Sequence, residues 1–170
     1  MPPVKNDHIY DILEKVLQGN QGFVNTTIGL CIKLQRATGA RISEILAMEW
    51  QHIDDQGNVY VRQAKRGISH VVRCPDLLPL FSQMREAPDQ KVIRLTYRQV
   101  YSLYLKLGIC YNPGNTRKHN AVCHLPRRQK AQQIFIFAEN NAEAAGHCLG
   151  HRSKKSINYY LTKEQINAVT

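Results

Sequence analysis

The chain has 170 residues, the size of one domain, and 43% of them are hydrophobic, which is enough for a buried core. No apolar run approaches the ~20 residues that cross a bilayer, and the N-terminus lacks the pattern of a secretory signal. We therefore expect a soluble, cytoplasmic protein. Lys and Arg outnumber Asp and Glu by 23 to 13, and the formal charge of +10 favours polyanionic partners, of which nucleic acid is the commonest inside cells.

The cysteines are five in number and form no CxxC pair, which is typical of reduced thiols rather than of a disulfide framework. They are Cys31, Cys74, Cys110, Cys123 and Cys148.

Hydrophobic periodicity predicts three helices in the first fifty residues. They span about residues 7–17, 26–37 and 44–50. Asn25 is the predicted cap of the second helix and Ser43 that of the third, and Gly39 ends the second helix. The apolar residues of the second helix lie on most of its sides, which predicts a deeply buried helix.

A β-hairpin is predicted next, with strands at 59–61 and 70–73 on either side of a turn at Lys65, Arg66 and Gly67. Two short strands that pair elsewhere are the alternative. A brief extended piece at 92–94 and a loop at 112–120 are also expected. Further helices are predicted at about 75–85, at 97–107 with Thr96 as its cap, and at 126–139 with Pro126 in its first turn. A short helix capped by Asn141 runs to about residue 149, and a last helix starts at Ser153 or Ser156. The fold class is mixed, mainly α with a small antiparallel β-sheet.

The first motif with chemical meaning is ATGARISEILAMEW at residues 37–50. Arg41 precedes a predicted helix, whose N–H-rich end attracts a phosphate, and Glu44 can orient Arg41 or cap the helix. This segment resembles the first signature of the tyrosine recombinases (the phage integrase family), in which it supplies the first catalytic arginine. A surface Arg41–Glu44 pair is the alternative.

A second motif near the C-terminus, Leu149-Gly150-His151 followed nine residues later by Tyr160, is similar to the Leu-Gly-His box and nucleophilic tyrosine of the same family. The spacing favours Tyr160 over its neighbour Tyr159. Without the other motifs, both tyrosines would be read as packing residues.

Between these motifs, His124-Leu125-Pro126-Arg127 resembles the family's His-x-x-Arg box, which supplies a histidine and the second catalytic arginine. Pro126 is unusual there, and Arg128 follows directly. Arg127 is preferred to Arg128 because it keeps His124 at the required spacing. A solvated basic helix start is the alternative.

The resemblance also implies that Lys65, on the hairpin turn, is the catalytic lysine, so that six roles follow in the family's order. They fall to Arg41, Lys65, His124, Arg127, His151 and Tyr160. The implied reaction breaks and rejoins DNA strands through a 3′-phosphotyrosine at Tyr160, without ATP. No carboxylate pair or Gly-rich phosphate loop is present, so no metal ion and no cofactor are indicated.

The resemblance covers about residues 26–161 and implies the recombinase catalytic-domain fold in one domain, 1–170, without the family's N-terminal DNA-clamping domain. Implied partners are double-stranded DNA and further copies of the chain, as a dimer or tetramer on DNA. Three alternatives are a DNA-binding relative without catalysis, a type IB topoisomerase-like nicking-closing enzyme and a zinc-binding module. The zinc ligands would come from Cys123, His124, His147, Cys148 and His151.

Overall fold

The structure is a computed structural model, and it describes residues 22–64, 67–107, 123–139 and 141–151. The predicted helix at 7–17, the loop at 112–120 and the last helix lie outside these residues. So do Lys65, Tyr159 and Tyr160.

Six α-helices and one two-stranded sheet form the described part of the chain. The helices are α1 (Gly22–Thr38), α2 (Ile42–Ala47), α3 (Leu78–Met84), α4 (Tyr97–Lys106), α5 (Leu125–Phe137) and α6 (Ala142–Cys148). Two single 3-10 turns, Trp50–His52 and Pro75–Leu77, follow α2 and precede α3. The predicted class, mainly α with a small antiparallel sheet, is confirmed. In the ranges described, no helix is both long and apolar enough to span a bilayer.

The sheet is the predicted hairpin. Strand β1 (Asn58–Val61) pairs antiparallel with β2 (His70–Arg73), with Val59 opposite Val72 and Val61 opposite His70. The inward residues Val59 and Val61 are fully buried. Because side chains alternate across a strand, this register turns one face of β1 to the core. The alternative of two strands pairing elsewhere is wrong.

Two of the predicted helix caps are wrong. Asn25 lies inside α1, which already begins at Gly22. The third predicted helix is α2, which begins at Ile42 with Arg41 as its N-cap residue. The Glu44 carboxylate accepts a hydrogen bond from the Arg41 backbone N–H at 2.7 Å and so starts the helix there. The helix also ends earlier than predicted, since Met48 is extended (φ −69°, ψ 138°).

The other predicted boundaries agree more closely with the structure. Thr96 caps α4, where its side chain accepts from the backbone N–H of Gln99, and Asn141 caps α6. Pro126 lies in the first turn of α5, where a residue without an N–H leaves no hydrogen bond unmade.

The main core surrounds α1, as its apolar composition predicts. Ile28, Leu30, Ile32 and Leu34 of this helix are fully buried. A second apolar cluster lies between α5 and α6 and consists of Ala131, Phe135, Ala145 and Leu149. Helix α5 packs on α1 and on α6. The end of α1, the start of α5 and the end of α6 are thereby brought together, although they are far apart in sequence.

Candidate active site

Arg41 stands in a tight turn between α1 and α2. Gly39 ends α1 with φ +69°, a left-handed conformation that favours glycine, and its N–H donates to the Gln35 carbonyl at 2.8 Å. The Thr38 hydroxyl donates to the Leu34 carbonyl and accepts from the Ala40 N–H at 3.1 Å. Thr38 and Gly39 therefore stabilise the turn that sets the position of Arg41.

Glu44 holds Arg41 in place through a buried carboxylate. The side chain of Glu44 is 1% exposed, and its Oε1 accepts from Arg41 Nη1 at 2.8 Å. The same oxygen accepts from the backbone N–H of Ala64 at 3.2 Å, at the start of the hairpin turn. Glu44 thus both caps α2 and orients Arg41, the two roles expected from the sequence.

The second arginine in contact with this turn is Arg127, in the first turn of α5. Its side chain is fully buried and donates from Nη1 to the Gly39 carbonyl. Nη2 contacts His151 Nε2 at 2.7 Å. Arg128 is half-buried on the same helix. The structure therefore brings Arg127 to His151 and to the Arg41 turn.

His124 lies at the N-terminal cap position of α5 and is half-buried. The residue before it, Cys123, offers its carbonyl to Gln35 Nε2 at 2.7 Å. Gln35 Oε1 in turn accepts from the buried Tyr104 hydroxyl at 2.9 Å. This buried network ties the start of α5 to α1, and sequence reasoning missed it because a polar residue inside an apolar helix carries no sign of its partner.

His151 is neutral in this environment. Arginine can only donate, so His151 Nε2 is the acceptor of the Arg127 bond and the ring hydrogen is on Nδ1. Burial, followed by the charges of Arg127 and Arg41, lowers the pKa of His151 from 6.5 to about 4. Arg41 is linked to the same segment through Gln63, which accepts from Arg41 Nη1 at 2.7 Å and donates to the Leu149 carbonyl at 3.3 Å. We call Arg41, Arg127 and His151 the Arg–Arg–His cluster.

The hairpin turn lies against the same cluster. Gly150 has φ +70° and follows the end of α6, and its carbonyl accepts from the Ile68 N–H at 2.9 Å. A Cβ at Gly150 would collide with the Ile68 carbonyl, so only glycine allows this approach. The turn between β1 and β2, which carries Lys65, therefore starts and ends beside the Arg–Arg–His cluster.

Gln63 is a residue of this site that sequence reasoning missed. Its Oε1 accepts from Arg41 Nη1 at 2.7 Å, and its Nε2 donates to the Leu149 carbonyl at 3.3 Å. The signal in the sequence was weak: a glutamine at a strand end, two residues before the predicted lysine.

The zinc alternative receives no support from the residues described. All five of its suggested ligands lie within them, yet no three His, Cys, Asp or Glu side chains in the described ranges group as metal ligands do. The four cysteines of these ranges are free thiols.

The family model described as "Phage integrase family" matches residues 4–165. The chain belongs to the phage integrase family. The resemblance found in the motifs is thereby confirmed, and membership supports a site-specific DNA recombinase. Among curated proteins, none matches this sequence significantly.

Solved structures similar to this phage integrase family member share its fold at low sequence identity. The catalytic domain of bacteriophage HP1 integrase has a TM-score of 0.65 and 18% identity, over 98% of this chain and 92% of that one. XerH site-specific recombinase bound to palindromic difH, in a post-cleavage complex, has a TM-score of 0.64 and 17% identity, over 98% of this chain and 51% of that one. A lambda integrase dimer bound to a COC′ core site has a TM-score of 0.61 and 18% identity, over 92% of this chain and 58% of that one. The chain therefore covers 92% of the HP1 catalytic domain and about half of each of the two longer chains.

Proposed function

We propose that this chain is the catalytic domain of a site-specific recombinase that cleaves DNA through a covalent 3′-phosphotyrosine at Tyr160. The observation that carries the proposal is the Arg–Arg–His cluster. Its three members come from the turn after α1, the start of α5 and the end of α6, and the sequence had suggested each of them separately. Two arginines and a histidine are the donors that a phosphodiester needs.

Arg41 offers the phosphate a free edge. Its Nη1 donates to Glu44 and Gln63, and none of the described residues accepts a hydrogen bond from its Nε or Nη2. These two nitrogens form one side of the guanidinium and suit two oxygens of a phosphate. Negative charge increases on those oxygens as the nucleophile attacks, so donors fixed in advance lower the barrier.

The buried side chains of Arg127 and His151 are hydrogen-bonded to each other in this arrangement. Arg127 has no exposed surface and His151 is 5% exposed. We infer that a phosphate bound beside Arg41 replaces the Arg127–His151 bond. Arg127 then donates to one phosphate oxygen, and His151 donates to another once its ring hydrogen is on Nε2 instead of Nδ1. The charge of the phosphate would offset the loss of that bond.

The nucleophile is Tyr160, and Tyr159 is its rival. A phenol has a pKa of ~10, so ionising it near pH 7 costs about 4 kcal/mol. His124 or His151 can accept its proton, and the low pKa of His151 makes His151 a weak base as long as it is buried against Arg127. The tyrosine oxygen bonds to phosphorus as the P–O5′ bond breaks, and Lys65 donates a proton to the leaving 5′ oxygen. A 5′-hydroxyl of another strand can reverse the step.

The partner in this proposal is double-stranded DNA, which the charge of +10 attracts, with self-association into a dimer or tetramer on it. The solved structures of XerH and lambda integrase, both bound to DNA sites and the latter dimeric, support this assignment. A protein with this role would work in the cytoplasm of a prokaryotic cell or of a phage's host.

The test is to mix the protein with nicked suicide duplexes of randomised sequence and to look for an SDS-resistant protein–DNA adduct. Adduct formation should be lost in Tyr160→Phe and kept in Tyr159→Phe, a matched change one residue away. Loss in Tyr159→Phe alone would reassign the nucleophile. No adduct from the parent protein, with DNA binding intact, would refute cleavage by this chain.

A second pair of variants tests the second arginine. Arg127→Ala should abolish the adduct, whereas Arg128→Ala should reduce it much less, because Arg127 is the one that contacts His151. Both variants must first be shown to fold by circular dichroism. The reverse order would assign the role to Arg128.

A further inference from the structure

Gln63 connects three parts of the site through one side chain. Its amide oxygen accepts from Arg41 Nη1 at 2.7 Å, and its amide nitrogen donates to the Leu149 carbonyl at 3.3 Å. Its backbone N–H donates to the Ser69 hydroxyl at 3.1 Å, across the base of the hairpin turn. One residue thus contacts the Arg41 turn, the Lys65 turn and the segment that ends in His151.

The bonds on Arg41 determine how its guanidinium is rotated. Nη1 carries two hydrogens, and Glu44 Oε1 and Gln63 Oε1 accept one each at 2.8 and 2.7 Å. With only Glu44 present, the planar group could turn about its long side chain while keeping one bond. With both acceptors in place, Nη1 is held towards them and the Nε–Nη2 side faces away.

The hairpin turn is built to admit this glutamine. A Cβ on Gly67 would lie 2.9 Å from Gln63 Cβ and would collide with Gln63 Oε1. Glycine at position 67 therefore leaves the space that the amide occupies. Across the site, the Ile68 N–H bonds to the Gly150 carbonyl at 2.9 Å, so the turn is tied to the Leu149–His151 segment both before and after Lys65.

We propose that Gln63 is a positioning residue for the recombinase reaction: its amide fixes which side of the Arg41 guanidinium meets the phosphate and ties the Lys65 turn to the His151 segment. This inference rests on the proposed function. Gln63 is not a catalytic residue in this scheme, since it acts through Arg41 and through the turn.

The variant is Gln63→Met, which keeps the length of the side chain and removes both amide hydrogen bonds. The matched control is Gln51→Met, an exposed glutamine outside the site that donates to Glu49 Oε2 at 2.6 Å. Single-turnover adduct formation is measured on the duplex selected with the parent protein. It should be about 10- to 100-fold slower in Gln63→Met, the usual effect of losing a hydrogen bond to a charged group, and unchanged in Gln51→Met.

A methylphosphonate at the cleaved position separates positioning from a general loss of structure. This substrate is neutral, so cleavage depends less on a correctly aimed arginine. The deficit of Gln63→Met should shrink to about threefold or less on it, since this substrate has one negative charge less for Arg41 to neutralise. An equal deficit on both substrates, or no deficit on the phosphate, would overturn the inference.

A measurement without DNA keeps this inference separate from the proposed function. Hydrogen-bonded guanidinium Nη protons exchange slowly enough to be seen by NMR. A resonance of Arg41 Nη1 that disappears in Gln63→Met but stays in Gln51→Met supports positioning, even if the parent forms no adduct. The same resonance in parent and Gln63→Met would refute it, whatever the activity.

Discussion

Acidification from pH 7.5 to 5 should destabilise the protein through His151. Burial beside Arg127 and Arg41 lowers the pKa of this histidine from 6.5 to about 4. Between these two values the unfolded chain binds a proton that the folded chain does not bind. Stability therefore falls as the pH drops through this range, and the contribution of neutral His151 is complete only above pH 6.5.

The magnitude follows from the difference between the two pKa values. At 1.36 kcal/mol per pKa unit, the full effect is on the order of 3 kcal/mol, and about 2 kcal/mol of it is reached by pH 5. For a domain with 5–15 kcal/mol of total stability, this is a large share.

The assay is urea unfolding followed by circular dichroism at pH 7.5, 6.5, 5.5 and 5 for the parent and for His151→Gln. Glutamine can still accept from Arg127 but does not titrate, so the stability advantage of the parent should narrow by about 2 kcal/mol between pH 7.5 and 5. Other ionisable groups cancel in the difference between the two proteins.

His147→Gln serves as the control, because His147 is exposed on α6, four residues before His151. The free energy of unfolding of His147→Gln should stay within about 0.5 kcal/mol of the parent's over the same pH range, as is usual for surface changes. A parent–His151→Gln difference that stays constant with pH would refute the assignment of a neutral, buried His151. So would an NMR titration of the His151 ring with a midpoint near 6.5.

Two further substitutions test the supports of the site. Tyr104→Phe should lower the free energy of urea unfolding by about 1–3 kcal/mol, because the buried Gln35 Oε1 loses its hydroxyl donor at 2.9 Å; a change under 0.5 kcal/mol would show that this bond adds nothing. Gly57→Ala should also cost about 1–3 kcal/mol, since φ is +80° and the new Cβ would lie 2.9 Å from the Cys74 carbonyl oxygen. Gly57 is away from the Arg–Arg–His cluster, so the folded fraction of Gly57→Ala should still form the adduct. Loss of the adduct when the variant and the parent are folded to the same extent would show that Gly57 affects the site.

Most of the elements in the described residues could be predicted because their signals are local. Thr96 and Asn141 cap helices through contacts within three residues, and Gly39 ends α1 through its own backbone conformation. The start of α2 was predicted wrongly for the same reason. Ser43 is a good cap in general, but the Glu44 carboxylate accepts from the Arg41 N–H and the helix begins earlier.

The candidate site was predictable only as a set of residue types in a known order. Arg41, Arg127 and His151 were named from their motifs, and the contact between Arg127 and His151 agrees with the spacing that preferred Arg127 to Arg128. Gln63 and Gln35 were not found. A glutamine at a strand end or in a helix has the same local sequence whether it faces water or a buried arginine.

The sequence by itself determined the family, the class of fold and which residues are candidates for the chemistry, because motif spacing, helix caps and apolar periodicity are properties of neighbouring residues. Only the tertiary structure decided that Arg127 is buried against His151, that this histidine is neutral, and that Gln63 joins Arg41 to Leu149. These facts depend on which groups the packing of α1, α5 and α6 brings within hydrogen-bond distance and removes from water. Residues 24 or 86 positions apart then interact, and no local pattern encodes that distance.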